Sequence, residues 1–460
     1  MVQKPGLAEY VGSERLDRLI EEEERSFVAR QPRSAELRDR AVGSLAGGVT
    51  SSWQISRPQA VWVSRGAGSK LYDADGNEYV DLHGGYGVNL LGHGHPAVVE
   101  AVRRQIENGS HHAQPAEDAI VVAEELARRW GLPLWRFNNS GTEATMDAFH
   151  LMRAATGRDL VVKVEGCYHG HHDAAMVSVY NPLEELGSGH RPLSAASGAG
   201  IPRAIIDLTL VVPFNDPVSL EELFADHPGE IAGMILEPIM MNAGIILPDD
   251  GYLARIRDIV HNAGALLAFD EIKTGLTAGP DGAAGLLGVT PDIVCLAKAM
   301  GGGLPCGAIG ATEQVMRLIA EGEYEQVGTF NGNPLTMAAS RAALTEVLDE
   351  NAYRHLDLLR DRMTTGIQRT IDAHGLAAHP VAVGAKGCIT FSPTPVRDYR
   401  GFLEVDDRFS HLHWLFQHNG GVFLPPWGKA EQWLLTVQHT EEDVDRFLDN
   451  FEAFARALGT

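Results

Sequence analysis

Three short stretches of this chain hold residues that could do chemistry together. In PDIVCLAKAMGGGLPCGAIGA a single lysine, Lys298, sits in a run that is otherwise apolar and rich in glycine, and no acid lies closer than Asp292. A lysine kept from water has a depressed pKa and becomes a usable amine nucleophile and base. Its long stem can equally lie along apolar surface and carry the charge out to solvent. In LLAFDEIKTG, Asp270 and Glu271 follow a run with the character of a fully buried strand. A carboxylate there needs a partner, because an unpaired buried charge is costly. A protonated ring nitrogen would serve, and so would a salt bridge or a helix N-terminus. In NNSGTEATMDAFHLM, Ser140, Gly141 and Thr142 lie between a strand and a helix. Free N–H groups and two hydroxyls at that point make a cradle for phosphate, or an ordinary N-cap with Glu143 nearby.

No one of the three decides alone. Together they describe an anion cradle, a buried acid suited to a pyridinium and an amine suited to a Schiff base, which is the set that pyridoxal phosphate requires.

The elements that must hold these groups follow from periodicity. VVAEELARRW and MDAFHLMRAATG have helical patterns, while LWRF, DLVVKV, AGMILEP and ALLAFDE read as short strands, most of them buried. This alternation predicts an α/β fold with a mostly parallel, doubly wound sheet. The candidate residues stand at the C-terminal ends of the apolar runs, where ligands bind in open sheets of this kind. We expect an N-terminal arm and short strands over 1–82, with a DG-type turn in LYDADGNEYV. A large domain follows over 83–345, and then a smaller C-terminal domain over 346–460 that ends in an amphipathic helix.

With 460 residues the chain suits one large and one smaller domain rather than a single small core. The formal net charge of −23, with no Lys/Arg-rich block, argues against a nucleic-acid partner. No apolar run approaches the roughly 18 residues that span a bilayer, and the first residues have no apolar leader, so we expect no membrane partner and a cytoplasmic location. Cys167, Cys295, Cys306 and Cys388 are widely spaced beside apolar or glycine residues, as buried free thiols would be. His83, His93, His95, His111 and His112 cluster in the text, but no carboxylate or cysteine completes a ligand set beside them, so no metal is expected.

The stretches NSGTEATMDAFHLMRAATGRD, EGCYHGHHD, ILEPI, GALLAFDEIKTG, PDIVCLAKAMGGGLPCGAIG and GTFNGNPLTMAAS follow one another in an order and spacing that resemble class III pyridoxal-phosphate-dependent aminotransferases. The nearest likeness is to the glutamate-1-semialdehyde 2,1-aminomutase branch, and it runs from about residue 45 to the C-terminus. The resemblance implies a fold type I transferase, with a large sheet domain and a smaller α+β domain. It implies Lys298 as the Schiff-base lysine and Asp270 as the acid on the pyridine nitrogen, with Ser140, Gly141 and Thr142 as the phosphate loop. Tyr168 matches the residue stacked on the ring, with His169 following it, and Ile272 takes the place of the packing residue on the other face. Asn242 aligns with an asparagine near the ring hydroxyl. Thr329 matches a threonine reaching the phosphate of a neighbouring subunit, which implies a homodimer with a shared active site. The partners are then a small-molecule amino donor and a carbonyl acceptor.

Two departures bear on the substrate. The GGVSSPVR-type segment of the aminomutase branch carries an arginine that grips a carboxylate as a bidentate fork. Here the text is GGVTSSWQISRP, with Gln54 at that place and Arg57 three residues on. An aromatic wall of Trp53, Tyr86 and Trp427, with Gln54, is expected instead. The DEVMTG-type text reads DEIKTG, which adds Lys273, although Lys273 lacks the surroundings of Lys298. The expected function is an aminotransferase. An intramolecular aminomutase, and an epimerase or decarboxylase on the same scaffold, are the alternatives. An idle cofactor-binding module and a dinucleotide enzyme built on GAGSKLYDADG are weaker ones, the latter because its glycines lie between strands and not before a helix.

Overall fold

The computed structural model describes residues 12–426 and 428–459. The chain forms two compact units. One comprises Met1–His95, Arg354–Pro395 and Val405–Thr460, and the other comprises Pro96–Tyr353 and Val396–Glu404.

The first unit opens with helices Ser13–Ala29 and Pro32–Ala41. The former buries Leu16, Ile20 and Phe27, four and seven residues apart, so one apolar stripe faces inward. Strands β1 (Val63–Ala67), β2 (Lys70–Asp73) and β3 (Glu78–Asp81) form an antiparallel meander. The DG turn is present between β2 and β3. Asp73 Oδ1 accepts the N–H groups of Asp75 and Asn77 at 3.0 and 2.8 Å, and Gly76 takes φ +89°, a conformation that favours glycine. Later residues of this unit add a fourth strand to this sheet and form a separate three-stranded one.

The second unit is built on a seven-stranded sheet. Its strands are β4 (Leu134–Asn138), β5 (Leu160–Val164), β6 (Thr209–Val212), β7 (Ile231–Leu236), β8 (Leu266–Asp270), β9 (Ile293–Ala297) and β10 (Gly307–Ala311). Their order is β4-β10-β9-β8-β7-β5-β6. Strand β10 runs antiparallel to both neighbours and every other pair is parallel. The expected doubly wound, mostly parallel sheet is therefore present. All residues of β7, β9 and β10 are buried, which is why these strands read as continuous apolar or small-residue runs and not as alternating ones. Helix Gly141–Thr156 lays Ala144, Ala148, Phe149, Leu151 and Met152 into the core cluster with Val161, Ile235, Ala268 and Ile309. It stops at Gly157, which caps it in the left-handed region at φ +68°.

Back in the first unit, β11 (His379–Val383) and β12 (Lys386–Thr390) make a hairpin that β14 (Trp433–Leu434) extends, while β13 (Val422–Phe423) joins β3 in parallel. The last helix, Glu441–Gly459, buries Val444, Phe447, Phe451, Phe454 and Leu458 at alternating spacings of three and four. His413 packs among these rings, with centroids 5.5–5.6 Å from Phe447, Phe451 and Phe454. All four cysteines are free and buried. Among the described residues, no helix is long and apolar enough to cross a membrane.

Candidate active site

Strand β8 ends at Asp270 and β9 ends at Ala297, so Lys298 is the first residue beyond its strand. The register sets Asp270 opposite Cys295, Ala297 opposite Gly307, and Gly307 opposite Asn138. The ends of β8, β9 and β4 thus share one edge of the sheet, the edge where open α/β sheets bind ligands. Half-buried Lys298 has φ +54°, left-handed for a residue with a side chain. Such a conformation costs on the order of 1–3 kcal/mol and persists where the surroundings over-determine it. Here the ladder holds Ala297 on one side. On the other, Gly302 is left-handed at φ +60°, and a Cβ there would press to 3.0 Å from the carbonyl of Ala339.

The two acids of DEIKTG divide the roles that the sequence left open. Asp270, 4% exposed, accepts the Nδ1–H of His169 on Oδ2 at 2.8 Å and the N–H of Ile272 on Oδ1 at 3.0 Å. His169 is fully buried, and its Nε2 has no hydrogen-bond partner among the described residues. Glu271 turns instead to the N-terminus of helix Gly282–Leu287. It accepts the N–H groups of Ala283 and Ala284 (2.5 and 3.0 Å), Trp130 Nε1–H (3.0 Å) and the Thr274 hydroxyl (3.0 Å). Burial nevertheless pushes its carboxyl above the usual range.

The phosphate and capping readings of NNSGTEA are compatible in space. Ser140 is the N-cap of helix Gly141–Thr156, its Oγ accepting the Glu143 N–H at 3.3 Å, while Glu143 Oε2 accepts the Asn139 N–H at 2.7 Å. That resembles a capping box, with the Glu143 carboxylate reaching the N–H one residue before the cap and the Ser140 hydroxyl at 3.2 Å. The first-turn N–H groups of Gly141 and Thr142 have no intrahelical acceptor. Gly141 packs so close to Ile272 that a Cβ would lie 2.5 Å from Ile272 Cδ1, and a Cβ on Gly170 would lie 2.6 Å from Thr142 Oγ1. The helix start, Ile272 and the loop after His169 close on one another.

The loop carrying Tyr168 and His169 is held from several sides. Glu237, just past the end of β7, accepts the Tyr168 N–H on Oε1 (3.0 Å) and the Met241 N–H on Oε2 (2.7 Å), and the buried Asn242 side chain lies beside it. Burial, together with the charge of Asp270, raises the Glu237 carboxyl. Thr145 Oγ1 donates to the His169 carbonyl at 2.5 Å. The Tyr168 ring stacks with Tyr180 at 6.1 Å between centroids. Lys163, fully buried in β5, donates from Nζ to the carbonyls of Cys167 (2.9 Å) and Val177 (2.5 Å). Lys273 donates to the carbonyl of Met241 at 2.9 Å. Thr329 is exposed, and its carbonyl accepts Nε2–H of His111 at 2.6 Å; nearby, Asn331 accepts Asn139 Nδ2–H at 2.9 Å.

Trp53, Gln54 and Tyr86 belong to the first unit, where they line one cavity of about 580 Å³ together with His83, Trp62 and Phe423. The Tyr86 hydroxyl donates to the Trp53 carbonyl at 2.8 Å, their rings lie 5.7 Å apart, and Tyr86 has φ +59°. The Gln54 amide oxygen accepts from Thr50 N–H and Oγ1–H at 3.0 and 2.7 Å. Arg57 pairs with Glu24 at 2.8 Å. Trp427 lies outside the described residues.

A helix N-terminus free to take an anion, a glycine-cleared wall at Ile272 and a buried carboxylate beside an orphaned histidine nitrogen fit a phosphorylated heteroaromatic ring. Sheet and site together define the large domain of a pyridoxal-phosphate enzyme. Comparison with known proteins agrees. The family model "Aminotransferase class-III" matches residues 53–397. The glutamate-1-semialdehyde 2,1-aminomutase of Aquifex aeolicus is 35% identical over 93% of this chain and all of its own. An omega-transaminase from Sphaerobacter thermophilus superposes with a TM-score of 0.88 at 32% identity, covering 92% of this chain and 97% of that one. A glutamate-1-semialdehyde aminomutase from Pseudomonas aeruginosa, solved in complex with PMP, gives 0.89 at 30% identity, covering 98% and 100%. The chain belongs to the class III aminotransferase family, and it is an enzyme whose cofactor is pyridoxal 5'-phosphate.

Two contacts of the site have no counterpart in sequence spacing. His169 meets Asp270 across 101 positions, and Lys163 holds the tyrosine loop from the strand behind it. Burial lowers the Lys163 amine to about 8 from its ordinary 10.5, against the opposing pull of Glu237 and Glu165. The folded chain then releases this proton near pH 8, while the unfolded chain keeps it to about 10.5. Stability relative to Lys163→Met should therefore rise with pH across that window, by about 3 kcal/mol. Denaturant unfolding of both proteins at pH 7.5 and 10.5 reads the difference. A pH-independent gap would show that burial does not depress this amine and that it stays charged in the folded chain across the window.

Proposed function

We propose that this enzyme moves an amino group between an amine or amino acid and a carbonyl acceptor, with Lys298 as the residue that binds the cofactor covalently and then serves as the base. Pyridoxal phosphate supplies an aldehyde for the amino group and a protonated ring that draws electrons from the bond being broken. In this reading the N–H groups of Gly141 and Thr142, with the Ser140 and Thr142 hydroxyls, bind the phosphate. Asp270 keeps the ring nitrogen protonated, and His169 holds the Asp270 carboxylate in place. Ile272 and Tyr168 pack on the two faces, and Asn242 meets the ring hydroxyl. Lys298 Nζ takes the proton from the amino-bearing carbon of the donor and returns it on the other side of the transfer. The observation that carries this assignment is the strained, left-handed Lys298 at the sheet edge that also holds Asp270 and the Ser140 cap.

A homodimer is part of the proposal, with Thr329 reaching the cofactor phosphate of the second copy. Val327 and Phe330, 81% and 58% exposed, flank it as apolar surface that suits a partner of the same kind. Sedimentation of the holoenzyme as a monomer would remove this part. Four buried free thiols suit a reducing compartment, so the cytoplasm is the proposed location, which cell fractionation checks.

The substrate is proposed to lack a carboxylate at its far end. Gln54 offers an amide where a fork of charge would otherwise stand, and its oxygen is already engaged by Thr50. The names of the relatives favour a second reading, amino transfer between two carbons of one molecule, as in a glutamate-1-semialdehyde aminomutase.

After borohydride reduction of the holoenzyme, the cofactor should be found on the peptide that contains Lys298, and Lys298→Ala should bind it without being labelled. A label on the Lys273 peptide would move the role there. For the substrate, single amines, α- and β-amino acids and glutamate 1-semialdehyde are mixed one by one with the loaded enzyme and the cofactor's visible absorbance is followed. Amines without a carboxylate are expected to convert it. Gln54→Arg should shift the preference toward carboxylate donors by roughly tenfold to a hundredfold, the scale of one charge-assisted hydrogen bond. An unchanged ranking would take Gln54 out of the substrate contacts, and efficient turnover of glutamate 1-semialdehyde alone would favour the mutase.

A further inference from the structure

Residues Val396–Glu404 belong to the second unit, although the chain up to Pro395 and from Val405 onward belongs to the first. Arg400, in the short helix Tyr399–Leu403 of this segment, spends its guanidinium on the second unit. Nε and Nη2 grip the two carboxylate oxygens of Glu165 at 3.0 and 2.9 Å, Nη2 also donates to the Leu186 carbonyl at 2.9 Å, and Nη1 donates to the Gly187 carbonyl at 2.8 Å. Four of the five N–H groups of an arginine are thereby used. Glu165 is 1% exposed, so its charge depends on this fork. Beside it, Tyr399 is buried, its ring occupies the space that a Cβ on Gly166 would need, and its hydroxyl donates to the Asn181 carbonyl at 3.3 Å.

Glu165 and Gly166 are the first residues of the turn that continues through Cys167 to Tyr168 and His169. The far parts of that turn are fixed by Glu237 on the Tyr168 N–H, by Lys163 on the Cys167 carbonyl and by Asp270 on the His169 ring. Its near end is fixed by Arg400. A lysine in its place would keep the charge and lose the planar fork, because an ammonium cannot meet both carboxylate oxygens and two carbonyls in one plane.

We propose that Arg400 is a positioning residue for the cofactor. By clamping Glu165 it sets the turn that presents Tyr168, and so sets how that side chain meets the ring. This rests on the reading of Tyr168 as a ring contact. The bland alternative is an ion pair that stabilises the fold and leaves the site untouched.

The experiment uses the full chain. Apoprotein is titrated with pyridoxal phosphate, and the visible circular dichroism of the bound cofactor is recorded, for the wild type, Arg400→Lys, Glu165→Gln and Tyr168→Ala, and for Arg400→Lys combined with Tyr168→Ala. Arg400→Lys and Glu165→Gln are expected to weaken cofactor binding roughly tenfold, in the range by which residues remote from a ligand modulate its binding, and to change the dichroic band. In the Tyr168→Ala background, Arg400→Lys should add little. Wild-type affinity with an unchanged band in a folded Arg400→Lys protein overturns the proposal, and so does a loss of equal size in both backgrounds. Should Arg400→Lys not fold, the shape-conserving Glu165→Gln decides on the same two readouts. A Tyr168→Ala protein that binds the cofactor as the wild type does would overturn the role of Tyr168; the single-variant arm would still judge Arg400 through the band.

Discussion

A buried carboxylate tied to a fully buried imidazole is the constraint on which the large unit turns. Asp270 stands at a strand end in the middle of the sheet with one imidazole N–H and one main-chain N–H as its donors. Had an arginine met it, the charge would be satisfied and unavailable; had nothing met it, the charge would be too costly to keep. The histidine is an intermediate solution, because it holds the carboxylate by one oxygen and leaves the group able to face a second donor. The strand fixes Asp270 through the ladder with β9. His169 comes from a loop, and loops do not hold a ring to a fraction of an ångström without help. The bonds from Glu237, Thr145, Lys163 and Arg400 around residues 165–170 are that help.

The same logic separates residues of one type. Asp270 and Glu271 are adjacent, and successive residues leaving a strand point to opposite sides. One carboxylate therefore meets His169, and the other is used up on a helix N-terminus and the Trp130 indole. The lysines divide in a comparable way. Lys163 and Lys273 each donate to main-chain carbonyls in the interior, as structural cations do. Lys298 is instead set just past a strand, in a backbone conformation that regular structure would not impose. That difference supports Lys298 over Lys273 as the reactive amine.

What the sequence makes legible here is whatever is continuous. Strands β7 and β8 are runs of apolar residues up to their last position, β5 is one interrupted only by Lys163, and the helix after Ser140 announces itself by its cap and its period. The antiparallel direction of β10 is not legible, because GAIGA has the same composition whichever way it runs; its neighbours decide the direction. Contiguous site motifs such as Ser140-Gly141-Thr142 can be found by eye. The contacts that hold the site cannot, since His169 with Asp270 and Arg400 with Glu165 join positions 101 and 235 apart. Nor does any local signal give Tyr86 its left-handed backbone, which depends on what surrounds it.

The candidate residues for chemistry and those for substrate choice lie in different units, and they are held in different ways. Asp270, His169 and Glu237 are buried and each is tied by several bonds, so a change at any one disturbs the sheet edge itself. Gln54 sits in a three-residue 3-10 turn, exposed, with its oxygen bonded to Thr50 four residues away. Replacing it removes two local bonds, both from exposed Thr50, and leaves no buried group unpaired. A position of that kind can change its charge without cost to the fold, whereas the buried Asp270 cannot. In the proposed assignment, the buried groups at the sheet edge are ones the fold cannot easily exchange, and the position given to donor preference is one it can.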